Sequence, residues 1–426
     1  MKVAFVVSFF DFRNDVRRVL SEMAPKHEVI VFGKASEADK IQQHLPAGVE
    51  FRLVSERQST WWNSLWERLY LLFRAIPRSR ENFFLMELFK ASITQNPVQR
   101  KKNYQILNWV RRLPKFISYD TYLNWLQLSR QTLIDDIDQF FFFTAIADDY
   151  MLARLLRGRH PKVHIYVYSW DHPCKHTCFS VRAQYLVWNE ALAEDVNTLQ
   201  NIPAGQVSVT GASQFGYIEE YHRKYAGKIP RSYDFRYVYF GCAIGTADLV
   251  PDEVRVIEMV SKVLAATRPE LKLVVRPYPV QANWALYDPV RQLSNVVIDD
   301  GYRNLDLSVK EHNIMEKFEK IENAEAFFHL GTTMGLEACF TSTPSFIIDM
   351  GYTTREGLSL YNFIHQFQND RHLIDLAPQN AITTEQRLTE VVSDHTRPEF
   401  MLLNQRVRSD YTIKSFSEFA DSLIIR

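Results

Sequence analysis

The chain has 426 residues, of which 46% are hydrophobic, 23% charged and 13% aromatic. That composition suits large soluble cores and excludes extensive disorder, and the length points to two domains of roughly 200 residues each. The formal net charge is zero but unevenly spread: residues 61–130 hold twelve Lys or Arg against four Asp or Glu, and the rest of the chain carries the compensating −8.

Four cysteines, Cys174, Cys178, Cys242 and Cys339, are too few and too scattered for a disulfide framework, which points to a reducing compartment. The opening apolar run is too short for a signal peptide or a membrane span, and no later run reaches about 18 apolar residues. The expected location is the cytoplasm, with contact at an inner-membrane surface left open.

In chain order, "KVAFVV" reads as a buried parallel strand, "SFFDFRND" as a polar loop, "VRRVLSEMA" as an amphipathic helix and "EVIVFG" as a second strand. This is the first βαβ unit of a doubly wound sheet, extended by a third strand, "VEFRLV". From about residue 59 to 131 the pattern stops. That stretch is helical, basic and rich in Trp, Tyr and Phe, and reads as an insertion. Strands resume in "QFFFFTA", "VHIYVYS", "AQYLVWN" and "VSVTG", with the helices "DDYMLARLLRG" and "EALAEDVNTLQN" among them.

Residues 213–235 form a polar stretch with Gly, Pro and no clean period, expected as a crossing between domains 1–212 and 236–400. A second α/β series follows. It runs through the strand "YVYFG", the helix "DEVRVIEMVSKVLAATR", the strands "LKLVVRPYP" and "NVVID" and the helix "IMEKFEKIENA". It ends with the strand "AFFHLG", the helix "TMGLEACFTS" and the strand "PSFIIDMG". Residues 401–426 are expected as a C-terminal helical segment. The fold class is therefore α/β, with two Rossmann-like halves expected to face each other across a cleft at the carboxyl ends of their strands.

The chemistry is concentrated in two motifs of the second half. In "AFFHLGTTMGLEACF" a strand ends at Gly331 and a helix opens, with Thr332 or Thr333 placed to cap it. The N–H groups and the positive dipole end there suit a phosphate or diphosphate. Glu337, a turn further on, is placed to accept hydrogen bonds from the two hydroxyls of a ribose; the same spacing equally fits a capped core helix whose Glu faces solvent. In "LVVRPYP" a buried strand delivers Arg276 and Tyr278 to its carboxyl end between stiffening prolines. Arg276 can fork onto phosphate oxygens, or close the strand through a surface ion pair.

The chain resembles glycosyltransferases of the GT-B fold, in particular those that build bacterial lipopolysaccharide, O-antigen or capsule. The likeness lies in "VWNEALAEDVNTLQNIPAGQVSVTGASQFGYI", in "RPYP" and in "GTTMGLEA" with "TPSFIIDMG", and covers mainly residues 160–351. It implies that the C-terminal half binds a nucleotide-sugar donor and the N-terminal half a glycan or lipid-linked glycan acceptor. It further implies that neither metal nor cofactor is needed, the nucleotide-sugar being a co-substrate. By matching position Thr332, Thr333 and Glu337 are donor-binding. Tyr278 stands where CMP-sugar-dependent members carry His in a His-Pro pair, which argues against a CMP donor.

In "YSWDHPCKHTC" (168–178), at a strand end of the acceptor half, S-W-D followed by a polar residue is similar to loops in such enzymes, and a cap at Asp171 with a packed His172 competes with a catalytic role. Asp171 is the first candidate for the general base, with His172 as its competitor or hydrogen-bonding partner; in a retaining reaction Asp171 acts instead as nucleophile or electrostatic stabiliser. The alternation of His172, Cys174, His176 and Cys178 is not the paired spacing of a closed zinc site. Lys175 is an acceptor-side candidate or an exposed lysine.

Asp11, the second candidate base, lies in the loop after the first strand with Arg13 and Asn14, and an ordinary helix cap at Asn14 or Asp15 competes with that reading. Gln214 and Thr246 complete the acceptor and donor sides respectively. No G-x-G-x-x-G follows the first strand, which argues against an NAD-dependent dehydrogenase. In the basic aromatic insertion, Trp residues between helices and solvated charges compete with a membrane-surface role, and no nucleic-acid motif supports an RNA or DNA partner. Two rival activities stay open: a sugar-nucleotide 2-epimerase of the same fold, and a non-catalytic glycan- or lipid-binding protein.

Overall fold

The computed structural model describes residues 1–8, 14–54, 60–75, 96–128, 134, 136–143, 148–158, 162–170, 173, 179–225, 230–245, 247, 249–301, 311–350 and 368–424. The chain divides into two compact units, one drawn from 1–88, 101–216 and 413–426 and the other from 89–100 and 217–412.

The first unit is built on β1 (Lys2–Val7), β2 (Glu28–Gly33), β3 (Val49–Leu53), β4 (Gln139–Phe143), β5 (Val163–Tyr166), β6 (Gln184–Val187) and β7 (Val207–Val209). They form one parallel sheet in the order β3-β2-β1-β4-β5-β6-β7. Continuous apolar runs rather than alternation mark strands covered on both faces. Phe140, Phe141, Phe142 and Phe143 are all fully buried, and Phe141 stacks on Phe5 at 5.2 Å. Each such side chain contributes about 1.5–3 kcal/mol by leaving water.

Besides the short helix Ala38–Gln42, the helices before the crossing are α1 (Asn14–Met23), α2 (Trp61–Phe73), α3 (Pro97–Arg112), α4 (Tyr119–Trp125), α5 (Asp149–Arg157) and α6 (Glu190–Gln200), with the first residues of α3 grouped with the second unit. Side-chain caps define several of their starts: Thr60 on α2, Ser118 on α4, Asp148 on α5 and Asn189 on α6. The described part of the basic insertion is mostly helical, as α2, α3 and α4, with a parallel bridge between Arg74 and Ile117. Trp66 and Trp125 stack at 4.9 Å, and the Trp66 indole donates to the Tyr122 carbonyl at 3.1 Å. The interface reading thus holds for Trp66, whereas Trp61, Trp109 and Trp125 remain largely exposed.

The second unit holds β8 (Tyr237–Gly241), β9 (Lys272–Arg276), β10 (Val296–Ile298), β11 (Phe327–His329), β12 (Ser345–Ile348) and β13 (Ala381–Ile382). They form a parallel sheet in the order β10-β9-β8-β11-β12-β13. Besides the one-turn helix Asp288–Arg291, its helices are α7 (Gly216–Lys224), which begins at the division between the units, α8 (Val250–Thr267), α9 (Glu311–Glu322), α10 (Thr333–Ala338), α11 (Gln368–Leu376), α12 (Glu385–Ser393) and α13 (Leu402–Asp410).

Helix α7 corrects the expectation of an aperiodic crossing, because Tyr217, Ile218 and Tyr221 give it one buried apolar side. A last helix, α14 (Phe416–Leu423), returns to the first unit and starts with a full capping box of Ser415 and Glu418. It is held there by Phe419 against Phe143 and Tyr166 and by Lys26 to Asp421 at 2.6 Å. The tail is therefore not one segment. Its residues 401–412 belong to the second unit and 413–426 to the first.

Candidate functional site

In both sheets the strand order reverses once, between β1 and β4 and between β8 and β11. In parallel α/β sheets, ligands settle at the carboxyl ends of the strands at such a reversal. The loops that leave β8 and β11 are therefore the ones to build from in the second unit.

After β11 the chain turns at Gly331, whose φ of +89° is open to glycine and strained for other residues. Thr332 follows in extended conformation at the N-cap position of α10. Its hydroxyl makes no capping bond, which corrects the expected side-chain cap; the Thr332 carbonyl instead accepts the Gly335 N–H at 2.8 Å. Thr333 is the first residue of α10, and both threonines are half-buried. The helix has only six residues, so an anion there would meet first-turn N–H groups rather than a long summed dipole.

His329, at the end of β11, fixes this turn. It is fully buried, and its Nδ1 accepts the Gly331 N–H at 3.0 Å. Burial pushes its pKa down to about 3, so the ring is neutral. A Cβ at Gly335 would lie 2.3 Å from the imidazole, so only glycine lets α10 approach β11 this closely.

Arg276 closes β9 but is not at the surface. It is 6% exposed and donates to Asp299 at 2.9 Å. Asp299, one residue past β10, also accepts Lys320 of α9 at 2.7 Å and the Tyr239 hydroxyl at 2.5 Å. Burial alone would raise the Asp299 carboxyl, but Arg276 and Lys320 outweigh it and hold its pKa below the ordinary 3.8. One turn earlier on α9, Lys317 meets Glu337 at 2.6 Å. Burial lowers the Lys317 pKa, and the Glu337 carboxylate opposes that shift. Glu337 itself is 6% exposed, so it does not face solvent. These groups, three buried cations and two buried carboxylates, reach from β9 to α10, and the more exposed Glu316 completes the set on Lys320 at 2.6 Å.

The loop after β8 is pinned from below. Glu253, buried near the start of α8, accepts the Ala243 N–H at 2.7 Å and the Tyr287 hydroxyl at 2.7 Å. Burial pushes its pKa up to about 7. Asn283 donates to the Gly245 carbonyl at 2.8 Å, and Gly245 lies so close to Tyr278 that a Cβ would come within 2.8 Å of the ring. Tyr278 is thus half-buried against that loop, and Thr246 beyond it lies outside the described residues.

In the first unit the carboxyl end of the sheet is tied by one carboxylate. Asp15, 4% exposed at the start of α1, accepts the Tyr168 hydroxyl at 2.9 Å and the Ser213 hydroxyl at 2.7 Å. Tyr166 adds a bond to the Ser213 N–H at 2.8 Å. Asp15 therefore joins the segments after β1, β5 and β7.

Asp11, Arg13, Asp171, His172 and Lys175 lie outside the described residues, as does the side chain of Asn14. On the sequence flanks of the 171–172 pair, Trp170 is buried and the Pro173 carbonyl accepts Gln200 at 2.5 Å. Gln214 is half-buried in the turn Ser213–Phe215, and its amide nitrogen makes no hydrogen bond among the described residues. Also among the described residues, no group of three or more His, Cys, Asp or Glu is placed to hold a metal ion, and no helix is long and apolar enough to cross a membrane.

Lys317, Lys320 and Asp299 escaped the sequence reading. The signal was there: two lysines three apart share a helix face in "MEKFEKIE", and "NVVID" puts an aspartate at a strand's carboxyl end. Asp349, directly after β12 and 1% exposed, was also missed; burial pushes its pKa up to about 7.

No family model matches the chain, and no curated protein sequence does either. Among solved structures, it is similar to a proposed UDP-N-acetylglucosamine 2-epimerase from Listeria monocytogenes, with a TM-score of 0.50 and 9% identity over 99% of this chain and 94% of that one. UDP-GlcNAc 2-epimerase from Neisseria meningitidis aligns at a TM-score of 0.47 and 12% identity, over 99% of this chain and 97% of that one. The lipopolysaccharide outer core galactosyltransferase WaaB aligns at 0.46 and 14%, over 99% of both. With its two parallel Rossmann-like sheets, the chain has the GT-B fold.

Proposed function

We propose that the protein is a glycosyltransferase that moves a sugar from a nucleotide-sugar donor to a lipopolysaccharide, O-antigen or capsule glycan in the cytoplasm. The observation that carries the donor half of this reading is the set of Arg276, Lys317 and Lys320 behind the β11–α10 turn, at the strand reversal of the second sheet. Buried cations fixed by carboxylates supply a preorganised positive field for a departing nucleoside diphosphate, the task a metal ion performs elsewhere. First-turn N–H groups at Thr332 and Thr333 bind the phosphate, and Glu337, steadied by Lys317, receives the ribose hydroxyls. Asp171, or failing that Asp11, activates the acceptor hydroxyl or stabilises the sugar centre.

The test is a melting-temperature screen of CMP, CDP, UDP, GDP, dTDP and ADP in EDTA, since a ligand that binds only the folded state raises the midpoint. One nucleotide should shift it, and Glu337→Ala should weaken that nucleotide roughly 10- to 100-fold, the worth of hydrogen bonds to a charged group. Asp171→Ala should abolish transfer and keep the affinity. Silence from all six nucleotides refutes the reading in favour of a non-catalytic binding protein. The fold is shared with 2-epimerases, so conversion of the donor sugar without acceptor would replace transfer by epimerisation.

A further inference from the structure

The loop that leaves β8 rests on a carboxylate without a counter-ion. Glu253 is fully buried, and its partners are the Ala243 N–H and the Tyr287 hydroxyl, each at 2.7 Å. Asp299 and Glu337, by contrast, each face a lysine. A buried carboxylate that meets only neutral donors ionises at a cost, so the proton itself becomes a ligand of the site.

The groups that face Glu253 are neutral near pH neutrality. From the loop come the Cys242 thiol and the N–H groups of Ala243 and Ile244, and from the 3₁₀ helix Gln281–Tyr287 comes the Tyr287 hydroxyl. Burial pushes both the thiol and the hydroxyl well up, so neither gives up its proton there. On its own helix Asp252 pairs with Arg255, and at the end of β9 Arg276 is committed to Asp299. The buried side of α12, which packs on α8, holds Leu388, Val391 and Val392. The proton that moves near neutrality is therefore the one on Glu253, whose pKa burial raises to about 7.

The same 3₁₀ helix braces both strand-end loops. Asn283 donates to the Gly245 carbonyl at 2.8 Å, and the Trp284 indole donates to the Tyr278 carbonyl at 2.8 Å. With Tyr287 on Glu253, three side chains of one helix hold the chain after β8 and after β9. A loop braced in this way has little room to relax when the carboxyl beneath it changes charge. Ionised, Glu253 sets an unpaired negative charge under the strand reversal and draws the loop N–H groups inward. An anion bound above that loop favours the neutral carboxyl, so it binds with uptake of a proton from solvent.

We propose that Glu253 is a positioning residue through which a proton controls donor binding: the neutral carboxyl admits the diphosphate of the nucleotide-sugar, and the carboxylate opposes it. The proposal rests on the nucleotide-sugar reading above, with the diphosphate at the strand reversal of the second sheet. Glu253 touches no substrate and acts through Ala243 and the loop.

The test is titration calorimetry of the full chain with CDP, UDP, GDP, dTDP and ADP in EDTA, from about one pH unit below the Glu253 value to about one unit above it. Two buffers of different ionisation enthalpy count the protons taken up. Wild type and Glu253→Gln meet the same nucleotide, so the ligand's own ionisation cancels. Relative to Glu253→Gln, wild-type affinity should fall by roughly fivefold or more as pH rises through that window, and wild type should take up the larger share of a proton. Tyr287→Phe removes a bond that favours the carboxylate, so it should move the inflection to higher pH. Parallel pH profiles with equal proton uptake overturn the proposal. So does a loss of affinity in Glu253→Gln that is uniform at every pH, which would make Glu253 a brace alone. A wild type that binds none of these nucleotides refutes the reading beneath the proposal, whereas parallel profiles in a chain that binds refute the proton link only.

Discussion

The two sheets end in the same way and are furnished differently. At the carboxyl end of the first, one buried carboxylate, Asp15, collects neutral hydroxyls from Tyr168 and Ser213. In the second, Asp299 collects two cations and a hydroxyl, with a further Lys–Glu pair beside it. Around Asp15, neutral hydroxyls fix the loops to one carboxylate. The paired charges of the second unit fix β9, β10 and α9 together and place one guanidinium and two ammonium groups near the β11–α10 turn. That difference is why the diphosphate belongs to the second unit in the proposed reaction, and it can be broken one residue at a time.

The largest effect should come from Asp299→Ala. It removes the carboxylate that Arg276 and Lys320 share, Lys320 keeping Glu316 at 2.6 Å, and removal of one partner of a buried charge set costs up to about 3–5 kcal/mol. The urea transition of the second unit should move accordingly. The sign of the pH dependence follows from the depressed pKa of Asp299. Its stabilisation is present above the unfolded value of 3.8 and is lost as pH falls through the lower folded value. The variant should therefore lack the part of the acid limb that Asp299 supplies; an unaltered acid limb would assign that limb to other carboxylates.

Glu253 should act with the opposite sign. Its folded pKa is raised from 4.5 to about 7, so between those values the folded state holds the proton more tightly than the unfolded one. Stability should then fall as pH rises through that window, by up to about 1.4 kcal/mol per pH unit. Glu253→Gln should flatten this slope in denaturation curves taken across the window. A slope preserved in the variant would show that Glu253 ionises normally beneath the β8 loop.

The strands were legible because a parallel sheet demands continuous apolar runs, and "KVAFVV", "QFFFF" and "KLVVR" leave no alternative. The turn at Gly331 to Thr333 was legible for a similar reason: a glycine followed by two threonines after a buried run marks a strand-to-helix turn. Partnership was not legible. Arg276 reads the same whether it points at solvent or at Asp299, since the partner lies 23 residues away and is chosen by the pairing of β9 with β10. Helix α7 was missed because its tyrosines look polar in sequence and are buried in the fold. Two-residue β13 carries too little pattern to register at all.

The smallest effect tests the hydroxyl side of the comparison. Tyr168→Phe removes the donor that lies 2.9 Å from Asp15 and leaves Ser213 in place at 2.7 Å. The carboxylate keeps a partner, so the loss should be about 1 kcal/mol, the net worth of one hydrogen bond. Ser213→Ala should cost a similar amount. The double variant should cost more than the sum, because Asp15 would then keep neither hydroxyl, and residues sharing one network couple by roughly 0.5 kcal/mol or more. Additive losses would mean that the two hydroxyls act independently. If the nucleotide belongs to the second unit, none of these variants should alter the nucleotide-induced shift in melting temperature, whereas Lys317→Met, which removes a cation from the second unit, should reduce it.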